Sequence, residues 1–233
     1  MSQAPATSRL SDTAPPPARP PLWTPVVLTV LGVAAFAAVA ADLRFHGQIA
    51  RWNDPVSIAL HQRNTPAGII LFSGLSYLGD IKIILAVMLT VGVWLWKTRR
   101  RRSLILWLVA LAGSAILNQT FKDIFRVARP DRWTYYVFQP GSGYSFPSGH
   151  TMAVGVTAGT LTLILLHHFP TPARTRLLAG AAVAALTVLV AFALLYMGVH
   201  TLTDVLGGLT LTMAWLGILR FLLPPRSSAS VKI

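Results

Sequence analysis

Six stretches of this chain, roughly residues 24–41, 70–96, 103–121, 151–168, 177–198 and 202–223, are dominated by apolar side chains. Each is long enough to cross about 30 Å of hydrocarbon as a helix rising ~1.5 Å per residue. Inside a bilayer every peptide N–H and C=O must find its partner within the chain, and a run of this length does so by coiling on itself. The pattern predicts an all-α polytopic membrane protein built as a six-transmembrane-helix bundle. The second stretch is the least regular, because "SGLSYLGDIK" interrupts it around Asp80. Its membrane part either spans that interruption or begins at it.

Charge is sparse. Only 12% of residues are charged and 54% are hydrophobic, yet 20 Lys and Arg against 7 acidic groups give a formal net charge of +13. Basic residues set between apolar spans are the signature of membrane topology rather than of a nucleic-acid surface, so no nucleic acid is expected as a partner. The absence of cysteine excludes disulfides, thiolate catalysis and cysteine-bound metal. All the acids are aspartates, Asp12, Asp42, Asp54, Asp80, Asp123, Asp131 and Asp204, scattered and mostly near span ends, which argues against a carboxylate-rich metal cage.

Residues 1–22 are rich in Pro, Ala and Ser without apolar period and read as a disordered cytoplasmic tail, followed by one membrane domain over 23–224 and a cytoplasmic tail over 225–233. The orientation follows from the short "KTRRRR" loop at 97–102, since short basic loops stay on the cytoplasmic side. With both termini inside, twelve of the 20 basic residues are cytoplasmic and eight are not. The motif "AVA" at Ala38 to Ala40 resembles a signal cleavage site, but the first apolar run exceeds the roughly 7 to 15 residues of a signal core, which favours a retained anchor.

Between the first two spans, "IARWNDPVSIALH" carries apolar residues at helical spacing and predicts an interfacial helix. Trp94, Trp96 and Trp107 flank the arginine loop as an aromatic belt. In "DRWTYYVFQPGSG", Trp133, Tyr135, Tyr136, Val137 and Phe138 either line an entrance for a lipid chain or anchor at the bilayer surface. Gly207 and Gly208 suit close helix packing.

Three polar clusters fall on the non-cytoplasmic side: "KDIFRVARP" at Lys122 to Pro130, "PSGH" at Pro147 to His150, and "HTLTD" at His200 to Asp204. Ionisable groups gathered at the mouths of several membrane helices mark a site more often than chance does. Pro147 fits the first turn of a helix, where the amides around Ser148, Gly149 and His150 lack helical partners and face an anion favourably. Gly149 admits an oxyanion close to the backbone, and Ser148 adds a hydroxyl. A capped helix start with a surface histidine is the plainer alternative. Asp204 lies four residues after His200, so on a helix the two share a face, and the carboxylate can hold Nδ1–H and leave Nε2 free. An ordinary ion pair is the alternative here. Lys122 and Arg129 supply cations, Arg129 as a bidentate phosphate donor; snorkelling toward headgroups is the competing role.

Taken together, "K-x6-RP", "PSGH" and "H-x3-D" resemble the type 2 phosphatidic acid phosphatase superfamily of integral membrane lipid phosphatases, over residues 70 to 215 or so. The resemblance implies His200 as the nucleophile that forms a phosphohistidine and Asp204 as its orienting partner. It implies His150 as the acid that protonates the leaving oxygen and then activates water, with Lys122, Arg129, Ser148 and Gly149 as the phosphate cradle. No metal and no organic cofactor is implied. One departure is serious: the family's third motif reads "SR-x5-H-x3-D", and its Ser-Arg falls here at Ala193 and Leu194. Losing a cation that stabilises transferring phosphoryl charge costs several powers of ten in rate. Arg126 and Arg132 are the candidates to replace it in space.

The resulting expectation is metal-independent hydrolysis of a membrane lipid phosphate or diphosphate at the non-cytoplasmic face of a bacterial cytoplasmic membrane. Prenyl diphosphates, phosphatidic acid and phosphatidylglycerophosphate fit equally. The alternatives are a lipid phosphotransferase and a weak or silent binder or transporter of anionic lipids. Leu194 favours the silent binder, whereas two histidines with an orienting carboxylate favour an enzyme.

Overall fold

The computed structural model describes residues 23–130 and 143–223. The predicted tails at 1–22 and 225–233, and the segment 131–142 with Arg132 and its aromatic residues, lie outside the described residues. The elements are α1 (Trp23–Arg44), α2 (Gln48–Arg51), α3 (Asn53–His61), α4 (Pro66–Ser76), a 3-10 turn (Tyr77–Gly79), α5 (Ile81–Lys97), α6 (Arg101–Phe125), α7 (Gly149–His168), α8 (Ala173–Tyr196) and α9 (Leu202–Leu222). Helices α1, α6, α7, α8 and α9 are each long and apolar enough to cross a membrane, and α4 with α5, bent by 46°, make the sixth span.

That bend lies at the interruption seen in the sequence. Asp80 takes an extended backbone (φ −67°, ψ 141°) and its Oδ1 accepts the Lys82 amide at 2.8 Å, so a new helix starts there instead of the old one continuing. The second span is therefore two helices meeting at Gly79 and Asp80.

Lipid tails are as apolar as leucine, so helices in a bilayer associate through close packing at small residues. Helix α1 lies along α9 in this way: a methyl group on Gly32 would sit 2.4 Å from the Ala214 nitrogen, and one on Gly217 would sit 2.7 Å from that of Thr29. The first span is thus packed as a member of the bundle. Helix α7 is the hub, wedged among α6, α8 and α9, with Gly155 against Thr187 and Thr212 and Gly159 against Leu216. Leu177 and Leu178 on α8, Ile105 on α6 and Val30 on α1 are exposed, as lipid-facing side chains should be.

The segment predicted as one interfacial helix forms two, α2 and α3, and it is tied to the junction of α8 and α9. Asn53 accepts the Thr203 amide through Oδ1 and donates to the Thr203 hydroxyl through Nδ2, both at 3.0 Å. The Tyr196 hydroxyl accepts the Thr65 amide at 3.0 Å and donates to the Arg63 carbonyl at 3.4 Å. Trp52 and Phe45 remain largely exposed nearby. The aromatic belt needs correction: Trp107 is fully buried, its Nε1 donating to the Met88 carbonyl at 3.0 Å, because its indole fills the contact between α5 and α6. Trp96 alone of the three is largely exposed.

Candidate active site

The loop from Gly143 to Ser148 is sewn onto the end of α6 by three bonds. The Ser145 amide donates to the Val127 carbonyl at 2.8 Å, Lys122 Nζ to the Tyr144 carbonyl at 2.8 Å, and Asn118 Nδ2 to the Pro147 carbonyl at 3.2 Å. Phe146 is buried beneath it, stacked on Phe36 at 5.8 Å and edge-on to Phe125 at 5.0 Å. Gly207 and Gly208 let α9 press against this loop: a methyl group on Gly207 would lie 2.5 Å from Phe146, and one on Gly208 would lie 2.8 Å from the Ser148 carbonyl. The two glycines expected to serve helix packing thus seat the "PSGH" segment.

Helix α7 begins at Gly149, two residues after Pro147. Ser148 is its N-cap, fully buried, with Oγ accepting the Thr151 amide at 3.4 Å and the Thr151 hydroxyl at 3.0 Å, while the Ser148 amide donates to the Asp204 carbonyl at 2.9 Å. Ser148 thus caps α7, and its amide is already engaged. Gly149 lies against Asn118, where a methyl group would come within 3.1 Å of Oδ1. His150, one residue into the helix, packs its ring on Gly79 of the broken span; a methyl group there would sit 2.8 Å from His150 Cβ.

The third cluster closes differently from the expectation of a shared helix face. Helix α8 ends at Tyr196, Gly198 turns the chain with φ +65°, and His200 stands in the turn before α9. Thr201 is the N-cap of α9 and Asp204 its N3 residue in a reciprocal capping box, with Oδ2 accepting the Thr201 amide at 2.8 Å. His200 Nδ1 lies 3.2 Å from that same Oδ2. The pair predicted from spacing thus forms, held by a cap rather than by a helical turn.

Sequence reasoning missed Ser145. Its Oγ donates to Asp204 Oδ2 at 2.5 Å and lies 3.2 Å from His200 Nδ1, and all three side chains are buried. With the serine proton on the carboxylate, His200 keeps its own proton on Nδ1 and directs the Nε2 lone pair outward. Nε2 is buried without a hydrogen-bond partner among the described residues, and so is Nε of Arg129. The signal available in the sequence was the polar Ser145 inside "GYSFPSGH", which no helix-start argument explained.

Electrostatics favour neutral imidazole. Burial pulls the pKa of His200 below its ordinary 6.5, the Asp204 carboxylate opposes the shift, and the Arg129 and Lys122 cations add to it. Burial likewise lowers that of Arg129 from the ordinary guanidinium range, with Asp204 opposing. Lys122, Arg129, His150, His200 and Asp204 thus lie near enough to act on one another electrostatically. Arg126 is the exception. It caps α6 in a left-handed conformation (φ +50°), is exposed, and donates Nε to the Asp123 carbonyl at 3.1 Å, so it does not fill the buried place of the missing arginine. Ala193 and Leu194, where the Ser-Arg pair was expected, are fully buried, Leu194 among Val154, Val190 and Val205. Among the described residues, no three His, Asp or Glu side chains come together as a metal site.

A buried imidazole, a buried guanidinium Nε and a capped helix start, gathered in a helical membrane bundle, invite comparison with known proteins. The model of the PAP2 superfamily matches residues 103–226, just over half of the sequence, and the chain belongs to that superfamily. It is 29% identical over 156 residues to phosphatidylglycerophosphatase B of Bacillus subtilis (strain 168), covering 66% of this chain and 71% of the relative. It is 31% identical over 130 residues to YbjG of Escherichia coli (strain K12), a provisionally named undecaprenyl-diphosphatase, covering 54% of this chain and 61% of the relative. The crystal structure of a transmembrane PAP2-type phosphatidylglycerolphosphate phosphatase from Bacillus subtilis superposes with a TM-score of 0.71 at 24% identity, over 85% of this chain and 95% of that one. The helical membrane fold and the phosphatase family expected from the motifs both stand.

Proposed function

We propose that this protein hydrolyses a lipid phosphate or diphosphate in a bacterial membrane through a phosphohistidine at His200. The observation that carries the proposal is that Nε2 of His200 and Nε of Arg129 are both buried without a hydrogen-bond partner among the described residues, in side chains near enough to interact electrostatically. Burying two such groups without partners is costly, and a phosphate between them would satisfy both.

In the first step the His200 Nε2 lone pair attacks phosphorus, and the bond from phosphorus to the lipid oxygen breaks. That oxygen leaves with a proton from His150. Positive charge arriving on the His200 ring is met by Asp204 Oδ2 at Nδ1, and the Ser145 hydroxyl and the Thr201 amide hold that same oxygen in place. Lys122 and Arg129 balance the phosphoryl oxygens. In the second step His150 takes a proton from water, the water oxygen bonds to phosphorus, and the N–P bond breaks to return neutral His200 and inorganic phosphate. Ser148 serves as the cap that fixes where His150 starts, and Gly149 leaves room beside the cradle.

The relatives' names make phosphatidylglycerophosphate and undecaprenyl diphosphate the first substrates to test, and the basic loop at 97–102 supports a site on the non-cytoplasmic face. Purified protein should release phosphate from at least one of them with chelator present. Quenching in alkali should trap label on His200, since phosphohistidine survives base and not acid. Turnover by His200→Ala at the wild-type rate would overturn the mechanism. A second reading, an anionic-lipid binder without turnover, is favoured by buried Leu194, and binding of both lipids with no phosphate released would establish it.

A further inference from the structure

A second cation has an unsatisfied donor far from His150 and His200. Arg100 precedes α6, between the left-handed Arg99 (φ +55°) and Arg101. Its guanidinium carbon lies 4.9 Å from the centroid of Trp94 on α5 and 5.5 Å from that of Phe169 just past α7. The two rings grip the group and bury Nη1, which has no hydrogen-bond partner among the described residues. Cation–π contact attracts the charge to the ring faces but accepts none of the N–H protons, which lie in the guanidinium plane. The hydroxyls nearest in sequence are already engaged: Ser103, buried, is hydrogen-bonded to His168 Nε2 at 2.8 Å, and Thr98 donates to the Trp94 carbonyl at 2.7 Å.

Position selects the missing acceptor. Helix α7 starts beside the candidate active site and ends at His168, so at ~1.5 Å per residue the Arg100 corner lies roughly 27 Å away, close to one hydrocarbon thickness. That is the depth of the opposite headgroup layer. Immediately along α6, Ile105 and Val109 are exposed, 62% and 39%, and offer an apolar flank to an acyl chain descending from a headgroup held at Arg100.

We propose that Arg100, gripped between Trp94 and Phe169, is a binding site for the phosphate of an anionic phospholipid on the face opposite the candidate active site. The guanidinium fork takes the phosphodiester oxygens, and the chains lie along α6. The site is separate from phosphoryl transfer and does not depend on that activity.

The test uses full-length protein with His200→Ala in every sample, so that lipid turnover plays no part. Native mass spectrometry in neutral detergent counts molecules of dioleoylphosphatidylglycerol retained, against dioleoylphosphatidylcholine. The parent should retain a phosphatidylglycerol that Arg100→Gln loses, with at least a tenfold rise in the concentration needed, while Arg126→Gln at the other end behaves as the parent. Arg100→Lys, which keeps charge and most of the stem, should bind at an intermediate level and reports the same interaction if the glutamine variant fails to fold. Equal retention by the parent and by whichever Arg100 variant folds would overturn the proposal. Displacement of the bound lipid by millimolar inorganic phosphate would support a phosphate-specific contact; protection by inorganic phosphate with no phosphatidylglycerol retained would overturn the lipid assignment.

Discussion

Removing one hydroxyl should separate positioning from binding. In Ser145→Ala the donor to Asp204 Oδ2 at 2.5 Å disappears, and the carboxylate keeps only the Thr201 amide and His200 on that oxygen. A hydrogen bond to a buried charge contributes about 1.5–3 kcal/mol, and each 1.4 kcal/mol is a factor of ten. If the bond holds the carboxylate in line with His200 Nδ1, so that its loss misorients the nucleophile, kcat should fall by about 10- to 100-fold. KM should stay within about twofold, because Ser145 has no bond to Lys122 or Arg129 and the lost interaction belongs to the transition state. The pH profile gives a second reading. Without the serine proton, the Asp204 carboxylate holds the His200 Nδ1 proton more firmly, so imidazolium forms more readily and the acidic limb of kcat moves to higher pH. Steady-state phosphate release from pH 4.5 to 9 measures both, and Ser145→Thr should restore the limb and most of the rate. A variant with wild-type kcat and an unmoved limb would refute the positioning role; a lowered rate with an unmoved limb would reduce Ser145 to packing.

Other outcomes follow from the same geometry. Burial pulls His200 below its ordinary 6.5, so the neutral nucleophile persists under mildly acidic conditions and the wild-type acidic limb should lie below pH 6.5 in kcat measurements. The same shift has a sign for stability: the folded state binds fewer protons than the unfolded one, so the His200 contribution becomes unfavourable as pH falls below 6.5, and the urea midpoint should drop there in wild type but less in His200→Gln. Gly79→Ala sets a methyl group 2.8 Å from His150 Cβ and 3.0 Å from its Cα; turnover should fall about tenfold or more while insertion, followed by circular dichroism, is kept. Because the chain has no cysteine, Gly143→Cys and Thr98→Cys are clean probes. An impermeant maleimide on intact cells should label the first and reach the second only after lysis, and the reverse pattern would invert the proposed orientation.

Membrane-length apolarity made the helices legible, because length and composition alone decide whether a segment can satisfy its backbone in lipid. It also located the one irregular span, since Asp80 cannot lie in hydrocarbon without a cap. Less legible was how the polar clusters close. Spacing of four residues suggested a helical face for His200 and Asp204, but the pair forms across a capping box, which brings the same atoms together through a different backbone. Ser145 stayed hidden because its two partners lie 55 and 59 residues away. Trp107 was misplaced for a related reason: proximity to an interface in sequence does not show which side of a helix a neighbour covers. Arg126 was a candidate by charge for the place of the missing arginine, and the left-handed cap that ends α6 leaves it exposed.

Leu194 now poses a sharper question than it did as a gap in a motif. It is fully buried among Val154, one helical turn past His150, and Val205, next to Asp204, so the position sits one layer beneath the proposed catalytic groups. Leu194→Arg would lose that packing and place a guanidinium where no acceptor waits, at a cost on the order of 3 kcal/mol or more. The side chain can recover part of this only by lifting its head toward a phosphate held by Lys122 and Arg129. The expected result is therefore conditional on ligand: the variant unfolds at lower temperature than wild type without anion, and inorganic phosphate raises its midpoint by more. Stabilisation grows as RT ln(1 + [L]/Kd), so a tenfold tighter phosphate site appears as about 1.4 kcal/mol of extra stabilisation at saturation. Turnover per folded molecule should then rise as well. Leu194→Met, which keeps apolar volume, is the control and should respond to phosphate as wild type does. If phosphate stabilises the arginine variant no more than wild type, position 194 does not open on the cradle, and Lys122 and Arg129 alone must balance the transferring phosphoryl group.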